Sequence, residues 1–321
     1  MPSPTPEIPA TATVAGSGVV SAGHASTRSR GVPATIGAYF RLTKPRVIEL
    51  LLVTTVPAMI LADGRFPSVA LIGAVLLGGA MAAGGANTIN CWIERDRDQV
   101  MRRTHDRPLP KGEIEPTSAL VFGLALEAAA FAWLWATVNL LSASLAVSAM
   151  LFYVFVYTIW LKPRSPQNIV IGGAAGAVPV LVGWASVTGR LGAPAWVLFA
   201  IVFCWTPPHF WALSLKYRDD YAAAGIPMLP VVRGAQAAAR QIVVYSVVVV
   251  AVTLALVAVA EMGWIYLVAA IVLGGLFVAQ AVRLQRDASP QRAIKLFVFS
   301  NTYLALLFAA VAVDTLVHAT L

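Results

Sequence analysis

The sequence predicts an all-α polytopic membrane protein, about nine transmembrane helices in one bundle with the N-terminus cytoplasmic. Three observations carry this. Of 321 residues, 59% are hydrophobic and 12% are charged, about half the ~25% charge of a soluble globular domain. Apolar stretches recur along the chain, each near the ~20 residues that cross a ~30 Å hydrocarbon layer. The basic residues gather in alternate breaks between those stretches, the pattern that orients membrane proteins.

Residues 1–35 are rich in Ser, Thr, Pro, Ala and Gly and lack the apolar run of a secretory signal. They read as a disordered tail ahead of a single membrane domain, 36–321. The apolar stretches run over 46–63, 68–93, 117–137, 141–161, 168–186, 194–215, 239–260, 263–282 and 293–317. Short turns such as Asp63-Gly64-Arg65 and Thr188-Gly189-Arg190 alternate with long charged breaks at 94–116 and 216–240. The tail and first entry hold five bases: Arg28, Arg30, Arg41, Lys44 and Arg46. The break after the second stretch holds six, Arg95, Arg97, Arg102, Arg103, Arg107 and Lys111. The break after the fourth holds Lys162 and Arg164. Four follow the sixth stretch (Lys216, Arg218, Arg233, Arg240) and four the eighth (Arg283, Arg286, Arg292, Lys295). That places 21 of the 23 bases on one face, with Arg65 and Arg190 on the other. The net charge of +8 is therefore a topology signal rather than a nucleic-acid footprint. Cys91 and Cys204 show no metal or disulfide spacing and read as packing residues. Gly172 and Gly176 form a small-xxx-small pattern expected at a helix contact.

Chemistry is expected at the inner ends of two stretches. Asn90, Glu94 and Asp98 recur every four residues, so on a helix they stay near one face and line about 12 Å of it. Such hard oxygen donors suit Mg²⁺, which keeps waters and is completed by substrate phosphates. Arg103, Arg107 and Lys111 follow directly, and guanidinium forks match phosphate oxygens. The plain alternative is a solvated helix end of mixed charge. Further on, Pro207 and Pro208 are expected to break a helix beside His209, an ionisable residue at membrane depth. A second charged cluster, Lys216-Tyr-Arg-Asp219-Asp220-Tyr221, follows on the same face. Glu127 is expected to face the bundle interior, and Asp314 to lie near the outer end within reach of water.

These segments resemble the UbiA superfamily of intramembrane prenyltransferases, and within it the haem-farnesylating branch. The resemblance rests on 42–46 (Leu-Thr-Lys-Pro-Arg), 90–108, 161–173, 205–211 (Trp-Thr-Pro-Pro-His-Phe-Trp) and 220–230. It covers the chain from about residue 36 onward. Glu94 stands where the superfamily usually shows Asp, and the second cluster lacks a clean Asp-x-x-x-Asp. The resemblance implies transfer of a farnesyl group from farnesyl diphosphate to a vinyl group of haem B, giving haem O, with Mg²⁺ as the divalent metal. Asn90, Glu94, Asp98 and Asp220 would be the catalytic and metal-holding residues. Lys44, Arg103, Arg107 and Lys216 would bind diphosphate. His209, Trp205 and Tyr221 would bind or orient the acceptor, and Trp92 and Trp211 are further candidates for the aromatic wall. It also implies a plasma-membrane location with the site loops cytoplasmic, downstream partners in haem A synthesis or oxidase assembly, and no nucleic-acid partner. Two other readings compete: a quinone-precursor prenyltransferase of the same superfamily, and a transporter, which shares broken helices and intramembrane charge.

Overall fold

The structure, a computed structural model, describes residues 32–318. Most of the 1–35 tail, with Arg28 and Arg30, lies outside the described residues, as do 319–321. The described part is entirely helical. α1 (Val32–Leu42) leads into α2 (Pro45–Asp63), α3 (Val69–Val100), α4 (Pro116–Thr137) and α5 (Leu140–Leu151), which continues as a π-helical stretch, Phe152–Leu161. Then come α6 (Asn168–Thr188), α7 (Ala193–Lys216), the short α8 (Arg218–Ala223), α9 (Leu229–Val259), α10 (Trp264–Arg286) and α11 (Pro290–His318). Among the described residues, eight spans are long and apolar enough to cross a membrane, and α2 contributes a shorter apolar helix, Val53–Asp63. With α2 the rods number nine, as the sequence predicts.

α2, α6, α7 and α11 touch in a closed ring at the centre. α3, α4 and α5 pack on one side of it, and α9 and α10 on the other. The central position of α6 and α7 shows in their burial, the highest among the spans.

Several expectations need correction. α1 begins at Val32, inside the predicted tail. α3 runs seven residues past the predicted end at 93, to Val100, because its last two turns carry charges that neighbouring segments neutralise. α9 starts ten residues before the predicted 239, at Leu229, and bends at Gly234, whose φ of 80° only glycine adopts without strain. α7 is not broken at Pro207 and Pro208; it stays helical from Ala193 to Lys216. The prolines remove two N–H donors, but side chains buried along this helix hold the turn in place. Gly172 and Gly176 do not form one helix contact. A Cβ at Gly172 would fall 2.2 Å from the Tyr157 ring, whereas one at Gly176 would meet nothing within 4 Å.

Asp314 is buried rather than hydrated. It accepts the N–H groups of Gly263 at 2.6 Å and Tyr266 at 3.1 Å. It therefore caps α10 from a different helix, where free N–H groups favour a carboxylate. Asp314→Ala leaves two buried donors unmet and should cost about 1–3 kcal/mol of stability. Asp314→Asn, which keeps one acceptor, should lose less. Thermal unfolding of the three proteins in detergent measures the order.

Candidate functional site

A cavity of about 700 Å³ opens among α2, α3, α5, α6, α7 and α11. Its walls are mostly apolar, and its charged residues are Lys44, Glu94, Arg97, Asp98, Arg103, Arg107 and Lys162. Five bases thus face two carboxylates.

The polar wall is built on α3. Asn90, Glu94 and Asp98 lie on successive turns and are all buried, at 2%, 4% and 3% exposure. Each meets a basic side chain from a different segment. Lys44 Nζ donates to Asn90 Oδ1 at 2.7 Å. Lys162 forms an ion pair with Glu94. Arg107 donates to Asp98 Oδ2 at 2.6 Å. Buried carboxylates at these positions require such partners, since an unpaired buried charge is strongly unfavourable. The three contacts tie the α1–α2 turn, the 101–115 loop and the α5–α6 connection to one helix.

Local structure aims each of the three. Lys44 holds left-handed angles, φ 54° and ψ 60°, a conformation that costs a non-glycine residue of order 1–3 kcal/mol and persists where surroundings fix it. Asn87 helps fix it by donating to the Thr43 carbonyl at 2.9 Å. In the 101–115 loop, Thr104 donates to the Asp98 carbonyl at 3.1 Å, so the loop folds back over the end of α3 and delivers Arg107. Lys162 follows the π-helical stretch and donates its own N–H to Tyr157 O, five residues back, at 2.8 Å. The wider π turn, a feature often found at functional sites, presents Tyr153 and Tyr157 to the cavity with ring centroids 5.5 Å apart. It also places Thr158 to accept from Asn90 Nδ2 at 3.1 Å. The glycine at 172 makes room for the Tyr157 ring.

Burial pushes the pKa of Lys44 below its ordinary value, and its partner is a neutral amide. Burial also opposes charge on Lys162, yet the Glu94 carboxylate outweighs it and holds the pKa above the usual lysine range. Arg107 behaves alike: burial lowers its pKa, nearby Cys91 and the Asp98 carboxylate raise it, and the net is upward.

The remaining predicted site residues divide. Trp205, His209 and Tyr221 line the cavity. His209 stacks on Trp205 at 4.2 Å, and its Nδ1 lies 2.7 Å from Ser300 Oγ. Lys216 and Asp220 are not on the cavity wall. Lys216 is exposed and sits 5.2 Å from the Tyr217 ring centroid. Asp220 Oδ2 accepts the backbone N–H of Arg103 at 3.3 Å, so it anchors the loop that carries Arg103. Trp92 and Trp211 also lie away from the cavity; Trp92 packs against Arg95 and Trp211 against Tyr245. Lys162, Arg97, Tyr153 and Tyr157 are walls that sequence reasoning passed over, the two bases because they read as topology signals. Among the described residues no three of His, Cys, Asp and Glu cluster as a metal cage. A site of two carboxylates and an amide suits an ion that phosphates complete. Asp98 commits one oxygen to Arg107 and Glu94 one to Lys162, so each keeps a second.

Intramembrane helices enclosing a cavity with a phosphate-matching polar end define a class that the comparisons name. The chain belongs to the UbiA prenyltransferase family, whose model matches residues 51–307. Its curated relatives are more particular. A protoheme IX farnesyltransferase of Frankia alni is 55% identical over 287 residues, covering 88% of this chain and 99% of the relative. Protoheme IX farnesyltransferase 2 of Saccharopolyspora erythraea is 56% identical over 281 residues, covering 87% and 86%. Among solved structures, a UbiA homologue from Archaeoglobus fulgidus bound to GPP and Mg²⁺ shares the fold at a TM-score of 0.61 and 18% identity, covering 86% of this chain and 99% of that one. A digeranylgeranylglyceryl phosphate synthase shares it at 0.72 and 17%, covering 88% and 98%.

The buried pairs predict a double-mutant result. Lys162→Met leaves Glu94 charged and unpaired, which should cost about 3–5 kcal/mol. Adding Glu94→Gln should recover most of that loss. Thermal or denaturant unfolding of the two single variants and the double variant reads the coupling.

Proposed function

We propose that the chain transfers the farnesyl group of farnesyl diphosphate to a vinyl group of haem B, giving haem O, as the names of its relatives describe. The observation that carries the reading is the cavity itself. An apolar chamber of about 700 Å³ ends in five basic side chains around two buried carboxylates. The apolar part suits an isoprenoid, each buried methylene contributing ~0.8 kcal/mol. The basic end suits a diphosphate.

In this reading Asn90, Glu94 and Asp98 would hold Mg²⁺, which when bound would supply Lewis-acid stabilisation of the leaving diphosphate. Lys44, Arg103, Arg107 and Lys162 bind phosphate oxygens and stabilise the negative charge that grows as the C1–O bond breaks. Lys44 is suited to this because its partner, an amide, leaves its charge uncompensated. Asp220 acts at one remove, by holding the Arg103 backbone; Lys216 stands outside this set. The electron pair leaves with diphosphate, and the cation-like C1 faces Trp205, Tyr153, Tyr157 and Tyr221, whose ring faces stabilise positive charge. The vinyl carbon of the haem attacks C1, and water adds to the resulting cation with loss of a proton. Burial within the bundle keeps water from C1 during ionisation. The inner face of the plasma membrane is the proposed location, with the cavity mouth cytoplasmic, and haem O would pass to haem A synthase or oxidase assembly.

The test incubates purified protein with haem B and farnesyl diphosphate, with and without Mg²⁺, and weighs the haem by mass spectrometry. A mass gain of one farnesyl group plus one hydroxyl that requires Mg²⁺ is expected. Prenylation of an aromatic-acid acceptor but not haem would favour the quinone-precursor reading, and transport without transfer the transporter. Asp98→Ala should lower turnover at least about 100-fold, the scale of a lost transition-state charge contact, while membrane insertion persists. The lowered pKa of Lys44 gives a pH signature. The KM for farnesyl diphosphate should rise as pH climbs toward the ordinary lysine value of 10.5, because the neutral amine no longer attracts phosphate. Lys44→Arg should remove that limb from the KM–pH profile.

A further inference from the structure

We propose that His209 is an axial ligand to the iron of the haem acceptor, bound through Nε2. The inference rests on the acceptor assigned above and names how this chain grips it.

The imidazole is held in one orientation. Trp205 stacks on it at 4.2 Å and 22°, and Phe297 at 4.5 Å and 28°. Trp205 is itself fixed, donating its indole N–H to the Ser300 carbonyl at 2.9 Å. The hydrogen-bond network then assigns the tautomer. The Ser300 hydroxyl donates its hydrogen to Phe297 O at 2.7 Å, so its oxygen accepts at His209 Nδ1, also 2.7 Å away. We assign the tautomer with the proton on Nδ1, which satisfies both contacts of the Ser300 oxygen and leaves the lone pair on Nε2. This is the arrangement by which metal-binding histidines are oriented: the second nitrogen donates to a neighbour and the first is left as ligand.

His209 is 6% exposed and belongs to the cavity wall. With Nδ1 spent on Ser300, Nε2 is the nitrogen left for the cavity. Beside it, Gly176 lines the cavity without a side chain and leaves open space there for a flat macrocycle. Neutral imidazole is the ligand type of many haem irons. Ligation moves no proton and no electron: the Nε2 lone pair enters an iron coordination position. Its effect is to fix the distance and rotation of the porphyrin, and with them the position of the vinyl edge.

The experiment titrates the purified full chain with ferric and ferrous haem b and records absorption and resonance Raman spectra, alongside the farnesylation assay. The wild type should show a histidine-ligated spectrum with an iron–imidazole stretch. His209→Ala should lose that stretch and bind haem b at least tenfold more weakly, and added imidazole should restore the spectrum. Ser300→Ala should keep ligation but shift the stretch, since Nδ1–H loses its acceptor. A folded His209→Ala protein with an unchanged spectrum overturns the proposal. If that variant does not fold, His209→Met decides: a thioether-type spectrum supports ligation, and retention of the imidazole stretch overturns it. Failure of the wild type to bind or farnesylate haem b would instead overturn the acceptor assignment. Normal farnesylation with no iron–imidazole stretch would remove only the ligation.

Discussion

The structure depends on the neutralisation of buried charge along the inner end of α3. Glu94 and Asp98 bury carboxylates on the cavity wall, Asn90 buries an amide oxygen on the same face, and each is met by one basic side chain. The three cations come from three separate connections, so the electrostatic requirement is also a mechanical one. Pairing Glu94 and Asp98 draws the end of the π-helical stretch and the 101–115 loop onto α3, and the Lys44–Asn90 hydrogen bond brings the α1–α2 turn to the same helix. The strained backbone of Lys44, the wider turn before Lys162 and the fold-back of the loop before Arg107 are the local conformations by which that convergence is reached.

The rest of the bundle gives this cluster a dry neighbour. Beside the closed ring of α2, α6, α7 and α11 a chamber remains, and Gly176 of α6 lines it without a side chain. The result is an apolar chamber with charge at one end. The family membership and the relatives' names agree with what such a chamber does chemically. In the proposed reaction it would hold the isoprenoid chain, stabilise the departing anion and limit the approach of water to the allylic cation.

Much of this was legible before any coordinates. The spans, their number and the one-sided charge follow from hydropathy and from the cost of placing charge in lipid, and both act locally on sequence. Asn90, Glu94 and Asp98 were recognisable because the helical period brings every fourth residue to one face. Other features were not legible for stated reasons. Lys162 looked like a topology residue, since its pairing with Glu94 joins positions 68 apart in the chain. The π-helical stretch carries no proline or glycine to mark it. Asp314 read as solvent-facing because the N–H groups it caps, those of Gly263 and Tyr266, belong to a different helix. Pro207 and Pro208 read as a break because local rules cannot include the packing that holds α7 helical through them.

By itself, the sequence determined that the chain spans a membrane many times, which face carries its bases, and which residues of α3 share a side. Those properties depend on composition and on spacings of a few residues. Tertiary structure alone decided which of the described bases reach the carboxylates and which remain at the surface. It brought Lys44, Lys162 and Arg107 to α3, left Lys216 exposed, and set Asp220 to holding a loop rather than facing the cavity. The physical reason is that burial and pairing are properties of neighbours in space. For a charge in a membrane protein, they govern its energy more than its identity does.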